Sequence, residues 1–193
     1  MSKKRENGGL KNNFLIKPMN KPKVKIYIDG ANIFYTQKKL DWSLDWKKVR
    51  EYIETSKEVI EWKYYVGVKK DDTKMSKYLK YLNAVGFDVF TKSLKKIKVN
   101  NNESFFKIYG QKYIYKANFD VEITTDILLD KSKYDEIILF SGDSDFQYLV
   151  KKLKDVGIKT EIYSSRKTIS WELKLEASGI TYLEDIKDNV ERK

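Results

Sequence analysis

An uninterrupted apolar run, Ile137-Ile138-Leu139-Phe140, enters a turn at Ser141-Gly142-Asp143 and leaves it as a helix with Phe146, Leu149, Val150 and Leu153 on one face. A short apolar run bounded by turn formers reads as a strand buried on both sides, and such strands belong to parallel sheets covered by helices. The same succession occurs near the start of the chain, where Lys25-Ile26-Tyr27-Ile28 leads through Asp29-Gly30-Ala31-Asn32 into a helical pattern at Ile33, Phe34 and Gln37. Helical periodicity over 45–55 and 72–85, a glycine stop at Gly86 and strand-like runs at 59–68, 87–90, 158–163 and 180–183 continue the alternation, with a further helix over 170–177. The expected fold class is α/β, a three-layer α/β/α arrangement around a central, mostly parallel sheet. Residues 1–22 are polar and aperiodic, so we expect a flexible basic tail, then one domain over 23–187 and a short C-terminal tail over 188–193.

Ligands of open α/β sheets collect at the carboxyl ends of the strands, which is where Asp29, Asp143 and Asp145 fall. Residues two apart on a regular helix point about 200° from each other. Asp143 and Asp145 therefore converge only if the first lies in the turn and the second in the opening helical turn. Gly142 is expected to make that turn accessible through its backbone freedom. Helix capping by Asp143 or Ser144 explains the same residues. A third acidic segment, Asn118-Phe119-Asp120-Val121-Glu122, opens a helix with Phe119, Ile123 and Ile127 on one face. Clustered carboxylates raise one another's pKa unless a cation compensates. Oxygen-only donors of this kind suit Mg²⁺ or Mn²⁺ and point to phosphodiester chemistry.

Three blocks, Ile26-Tyr27-Ile28-Asp29-Gly30-Ala31-Asn32, Lys116-Ala117-Asn118-Phe119-Asp120-Val121-Glu122-Ile123 and Leu139-Phe140-Ser141-Gly142-Asp143-Ser144-Asp145-Phe146, resemble the signature blocks of NYN domains, and of their LabA-like branch in particular. The resemblance spans residues 24 to 185. It implies a PIN-like nuclease fold and a pocket in which Asp29, Asp120, Asp143 and Asp145 hold one or two divalent ions for hydrolysis of a phosphodiester. Asn32, Ser141 and Lys116 then take supporting roles: orienting substrate or a water, bracing the corner, and gripping a phosphate. Asp126 matches a frequent acidic position but lies six residues beyond Asp120, about 240° around a helix, so it is a second-tier ligand. Glu122 is expected to face solvent, and Asp71-Asp72 to cap a helix.

Composition narrows the chemistry. The 193 residues include no cysteine and no histidine, which excludes zinc fingers, thiol nucleophiles, Ser-His-Asp triads and histidine-based ribonuclease mechanisms. A net charge of +11, mostly from lysine, favours a polyanionic partner held through its phosphates; a lysine-rich proteome gives the same bias. No apolar run is long enough to span a membrane, and the N-terminus lacks the apolar core of a signal peptide, so a cytoplasmic protein is expected.

Residues 92–116 interleave lysines, among them Lys92, Lys95, Lys96, Lys98, Lys107, Lys112 and Lys116, with Phe105, Phe106, Tyr109, Tyr113 and Tyr115 around Asn100-Asn101-Asn102. A basic, aromatic hairpin is expected there. It would serve as a single-strand binding surface through Lys95, Lys96, Lys98, Lys112 and Lys116, or equally as an ordinary hairpin whose lysines blunt an exposed edge. RNA is the expected partner over DNA, because the resembling family is associated with RNA processing. A homodimer is suggested by PIN-like folds generally. The competing functional reading is a catalytically weak binding module of the same fold. Phosphatase chemistry is disfavoured because the first strand ends Asp29-Gly30-Ala31 rather than Asp-x-Asp, and no phosphate-binding Gly-Lys-Ser/Thr loop is present.

Overall fold

The computed structural model describes residues 21–98, 113–130 and 133–193. Six strands, β1 (Lys23–Asp29), β2 (Glu58–Val68), β3 (Asp88–Ser93), β6 (Glu136–Phe140), β7 (Lys159–Ser164) and β8 (Gly179–Tyr182), form one sheet in the order β3-β2-β1-β6-β7-β8, every pairing parallel. A separate antiparallel hairpin joins β4 (Lys95–Lys98) to β5 (Tyr113–Lys116). The expected α/β class with a parallel sheet is what the chain adopts.

Parallel strands need crossover helices, and these cover both faces of the sheet. Ile26 and Ile28 of β1 point to one core with Trp46, Val49, Ile53 and Leu82, residues of α2 (Trp46–Glu54) and α3 (Thr73–Val85), under α1 (Gly30–Leu40). Tyr27 points to the other core, among Ile123 and Ile127 of α4 (Asp120–Leu129), Leu149, Val150 and Leu153 of α5 (Gln147–Asp155) and Leu173 of α6 (Trp171–Glu176). β1 is consequently buried on both sides, as an apolar run at the centre of a parallel sheet must be.

Local chemistry sets most helix ends. Asp29, Asp45 and Asp72 cap α1, α2 and α3 by accepting backbone N–H groups. Gly86 ends α3 in the left-handed conformation at φ 92°. β3 begins later and runs further than 87–90: Phe87 is drawn into the core, with its ring 5.7 Å from Trp46 and 5.1 Å from Trp62, while the ladder to β2 continues through Lys92 and Ser93. The C-terminal residues expected as a tail from 188 are packed instead. Val190 of α7 (Lys187–Val190) is fully buried and accepts from the Asp45 N–H, and the Arg192 N–H donates to Ser43.

Candidate functional site

Strand order places the site. From β1 the chain winds outward through β2 and β3, and from β6 it winds the other way through β7 and β8. The switch lies between β1 and β6, whose ends are in register at Ile28 and Phe140. A crevice outside the carboxyl ends of strands at such a switch is the ligand position of open parallel sheets. Asp29 ends β1 there, and Ser141-Gly142-Asp143 follows β6.

Hydrogen bonds tie the two corners together. The Asp29 Oδ1 accepts from the N–H groups of Ala31 and Asn32, each at 3.1 Å. The Ser141 hydroxyl, fully buried, lies 3.5 Å from Asp29 Oδ2 and accepts from the Asp143 N–H at 3.2 Å. Asn32 reaches the other way, its Oδ1 accepting from the Gly142 N–H at 3.0 Å. Asp143 occupies the turn and accepts from the Asp145 N–H at 3.1 Å, while Asp145 lies inside a single 3₁₀ turn, Ser144–Phe146, that leads into α5. Capping and site geometry are therefore the same arrangement, with carboxylates at the positive ends of helical turns.

Gly142 has a different role from the one its backbone freedom suggests. Among the described residues, the glycines at positive φ are Gly86 and Gly157. A Cβ at Gly142 would lie 2.6 Å from Thr168 O, 2.7 Å from Ser164 Oγ and 2.9 Å from Ile169 Cα. The residue is small because the segment before α6 crosses directly over the corner, where the Ser170 N–H donates to Gly142 O at 2.8 Å. Nothing in the local sequence signals that neighbour.

Asp120 is the first residue of α4, its N–H donating to Asn118 Oδ1 at 2.8 Å. Burial, opposed by a hydrogen bond from Asn118, raises its carboxyl above the ordinary range, and the charges of Asp143 and Asp145 raise it further against a lowering by Lys116. Burial pushes the Asp29 carboxyl up to about 6, with Asp120 and Asp143 adding to the rise and the two backbone N–H groups opposing it. The four aspartates thus share one electrostatic neighbourhood, with Lys116 as a nearby cation. Among the described residues, no three acidic side chains stand as a ready-made metal cage.

Asp126 is not brought to this group. Six residues along α4 is about 9 Å of helix, and its carboxylate accepts from the Tyr65 hydroxyl at 2.6 Å, lining a cleft with Lys25, Glu61, Lys63 and Asp130. Tyr65, opposite Asp29 in the sheet, also packs its ring 5.8 Å from Phe119 and so helps set the entry to α4; it lies inside β2, and nothing in the local sequence signals this role. Glu122 is paired with Lys92, which also donates to Asn118 O at 2.9 Å. Asp72 caps α3, as the sequence suggests.

On the hairpin, Lys96 pairs with Tyr115 and Lys98 with Tyr113, so both lysines and both rings share one face, while Lys95 and Lys116 lie opposite each other at its base. Tyr113 and Tyr115 are exposed, with Lys96 Nζ 4.0 Å from the Tyr113 ring and Lys69 Nζ 5.0 Å from the Tyr115 ring. Lys107, Lys112 and the Asn100–Asn102 turn lie outside the described residues.

The NYN domain family model matches residues 23–184. The low amplitude and bright protein LabA of Synechococcus elongatus is 31% identical over 172 residues, covering 88% of each chain. A crystal structure of a protein of unknown function from Vibrio parahaemolyticus superposes with a TM-score of 0.70 over 92% of this chain and all of the other, at 24% identity.

Proposed function

The chain belongs to the NYN domain family, in its LabA-like branch, and from that membership we propose a divalent-metal-dependent nuclease that hydrolyses phosphodiester bonds, with RNA as its substrate. The observation that supports this reading is the tie between the Asp29 and Asp143 corners through Ser141 and Asn32 at the sheet's switch point, with Asp120 near enough for its charge to raise the Asp29 carboxyl.

The donor set fits Mg²⁺ or Mn²⁺. Asp29 is 8% exposed and raised in pKa beside two further acids, a condition that a cation relieves. The lack of a three-carboxylate cage is compatible with Mg²⁺, which keeps several waters and takes only one or two protein carboxylates beside substrate phosphates. Asp29, Asp120, Asp143 and Asp145 are the residues that would hold the ion. Bound there, it supplies a water of lowered pKa and neutralises charge on the phosphate. Asn32 and Ser141 keep the two corners in register, and Lys116 meets a phosphate oxygen next to Asp120. The hairpin face of Lys96, Lys98, Tyr113 and Tyr115 guides the strand toward the corner, with the Lys95–Lys116 pair on the other face of the hairpin; Lys112 directly precedes Tyr113 in sequence. No helix among the described residues is long and apolar enough to cross a membrane, and we take the cytoplasm as its compartment.

End-labelled single-stranded RNA and matching DNA, incubated with Mn²⁺, Mg²⁺ or chelator, test the proposal. Metal-dependent cleavage by the wild type and none by Asp143→Asn is the expected result, with RNA cut faster. Equal cleavage by the variant sinks it. A second reading is a nucleic-acid-binding module without cleavage, which the exposed lysines and rings of the hairpin would serve equally; salt-sensitive binding with no product under any metal would establish it.

A further inference from the structure

Four helices, α1, α4, α5 and α6, start beside the acidic corner, and all but α4 carry an exposed aromatic ring within their first six residues. On α1, Phe34 and Tyr35 are 52% and 57% exposed and meet edge to face at 5.5 Å, with Lys38 Nζ 4.5 Å from the Phe34 ring. On α5, Tyr148 is 68% exposed. It stands three residues after Asp145, the spacing of neighbours on one helical side, and Lys152 Nζ lies 5.4 Å from its ring. α6 opens with Trp171, also 68% exposed, directly after the Ser170 N–H that bonds Gly142.

Packing does not need these rings outside. Leu173 anchors α6 in the core, whereas Trp46 and Trp62 show where this fold buries its tryptophans. Fully burying a large apolar side chain contributes about 1.5–3 kcal/mol, which an exposed ring forgoes. Single exposed apolar residues are ordinary. Recurrence early in three of the four helices that start at one corner, twice with a lysine over the ring, is not.

We propose that Tyr148 and Trp171, with Phe34 and Tyr35 across the corner, form a base-stacking rim that admits unpaired nucleotides and selects single strands over duplex. The identification of the corner as the phosphate site rests on the nuclease reading above. Lysine over a ring offers a cation to the backbone beside a π face for the base, the pairing that single-strand binding surfaces use. Bases inside a duplex are already stacked on both faces and present no such surface. Because every base has a π face, the rim is tolerant of sequence.

Binding is measured by fluorescence anisotropy with full-length Asp143→Asn protein in chelator, against a labelled oligoadenylate, the same backbone without bases, and a blunt duplex of equal length. Removing one ring, as Tyr148→Ala or Trp171→Ala, weakens oligoadenylate binding about fivefold to a hundredfold and leaves the abasic strand and duplex unchanged. Trp171→Phe, which keeps a ring, restores most of the affinity. Equal losses on all three probes, or no loss on any, overturn the proposal. So does a wild-type dimer that Trp171→Ala converts to monomer, since the rings then cover a second copy of the chain. If an alanine variant melts early, the part of the tryptophan fluorescence quenched by oligoadenylate, but not by the abasic strand, in the Asp143→Asn protein and lost in its Trp171→Phe derivative decides the question, since the other three tryptophans are common to both. Base-dependent binding without cleavage under any metal leaves the rim standing and removes the nuclease reading; cleavage with base-independent binding does the reverse.

Discussion

Replacing Asp29 by Asn should stabilise the protein at neutral pH and do nothing at pH 4. The carboxyl rises from 3.8 to about 6 in the folded state, chiefly through burial. A carboxylate with a raised folded pKa holds its proton more tightly when folded. Stability therefore falls as pH climbs from the unfolded value through about 6 and is flat above it. Two units correspond to about 3 kcal/mol. Asn keeps an oxygen for the Ala31 and Asn32 N–H groups and caps as well as Asp, and the pull of those N–H groups on the charged form is already contained in the net rise. The gain of about 3 kcal/mol at pH 8 raises the melting temperature by about 6–12 °C for a chain of this size. Thermal unfolding of both proteins in chelator across pH 4–8 measures it, with Glu172→Gln, an exposed acid on α6, as the charge control. A difference independent of pH, or a wild type that is the more stable at pH 8, refutes the reasoning.

Other outcomes follow from the same geometry. Mn²⁺ at saturating concentration should raise the melting temperature of the wild type, of Asp126→Asn and not of Asp143→Asn, because Asp126 is engaged by Tyr65 and lies down the helix; loss of the shift in Asp126→Asn would return that residue to the site. Gly142→Ala forces its methyl group against backbone atoms of Thr168 and Ile169 and should cost about 1–3 kcal/mol, read as a lower urea midpoint with unchanged slope. Trp46→Ala removes the ring that packs on Tyr64, Phe87 and Phe140 and donates to Tyr78 at 2.8 Å; unfolding should be easier by about 3–5 kcal/mol, and a loss below 1 kcal/mol would mean that this core is not where stability resides.

Much of this molecule is written locally. The apolar runs of β1 and β6, the stripes of α2, α3 and α5, the capping aspartates and the stop at Gly86 are decided by neighbours within one or two helical turns, so residue order alone specifies them. The three acidic segments were legible for the same reason: each is a strand end or helix start carrying its own turn chemistry. What only the tertiary structure decided involves partners far apart in the chain. The winding direction of the crossovers sets β1 beside β6 and brings Asp29 to Ser141, 112 residues away. Tyr65 draws Asp126 aside across 61 residues, and Lys92 takes Glu122. The need for glycine at 142 comes from a backbone segment that crosses it, and the C-terminal turn is folded because Val190 finds a core made by α2 and α3. Local pattern fixes which face of an element is apolar; which other element covers that face is a property of the assembled sheet, and it is there that a carboxylate such as Asp126 acquires its hydrogen-bond partner.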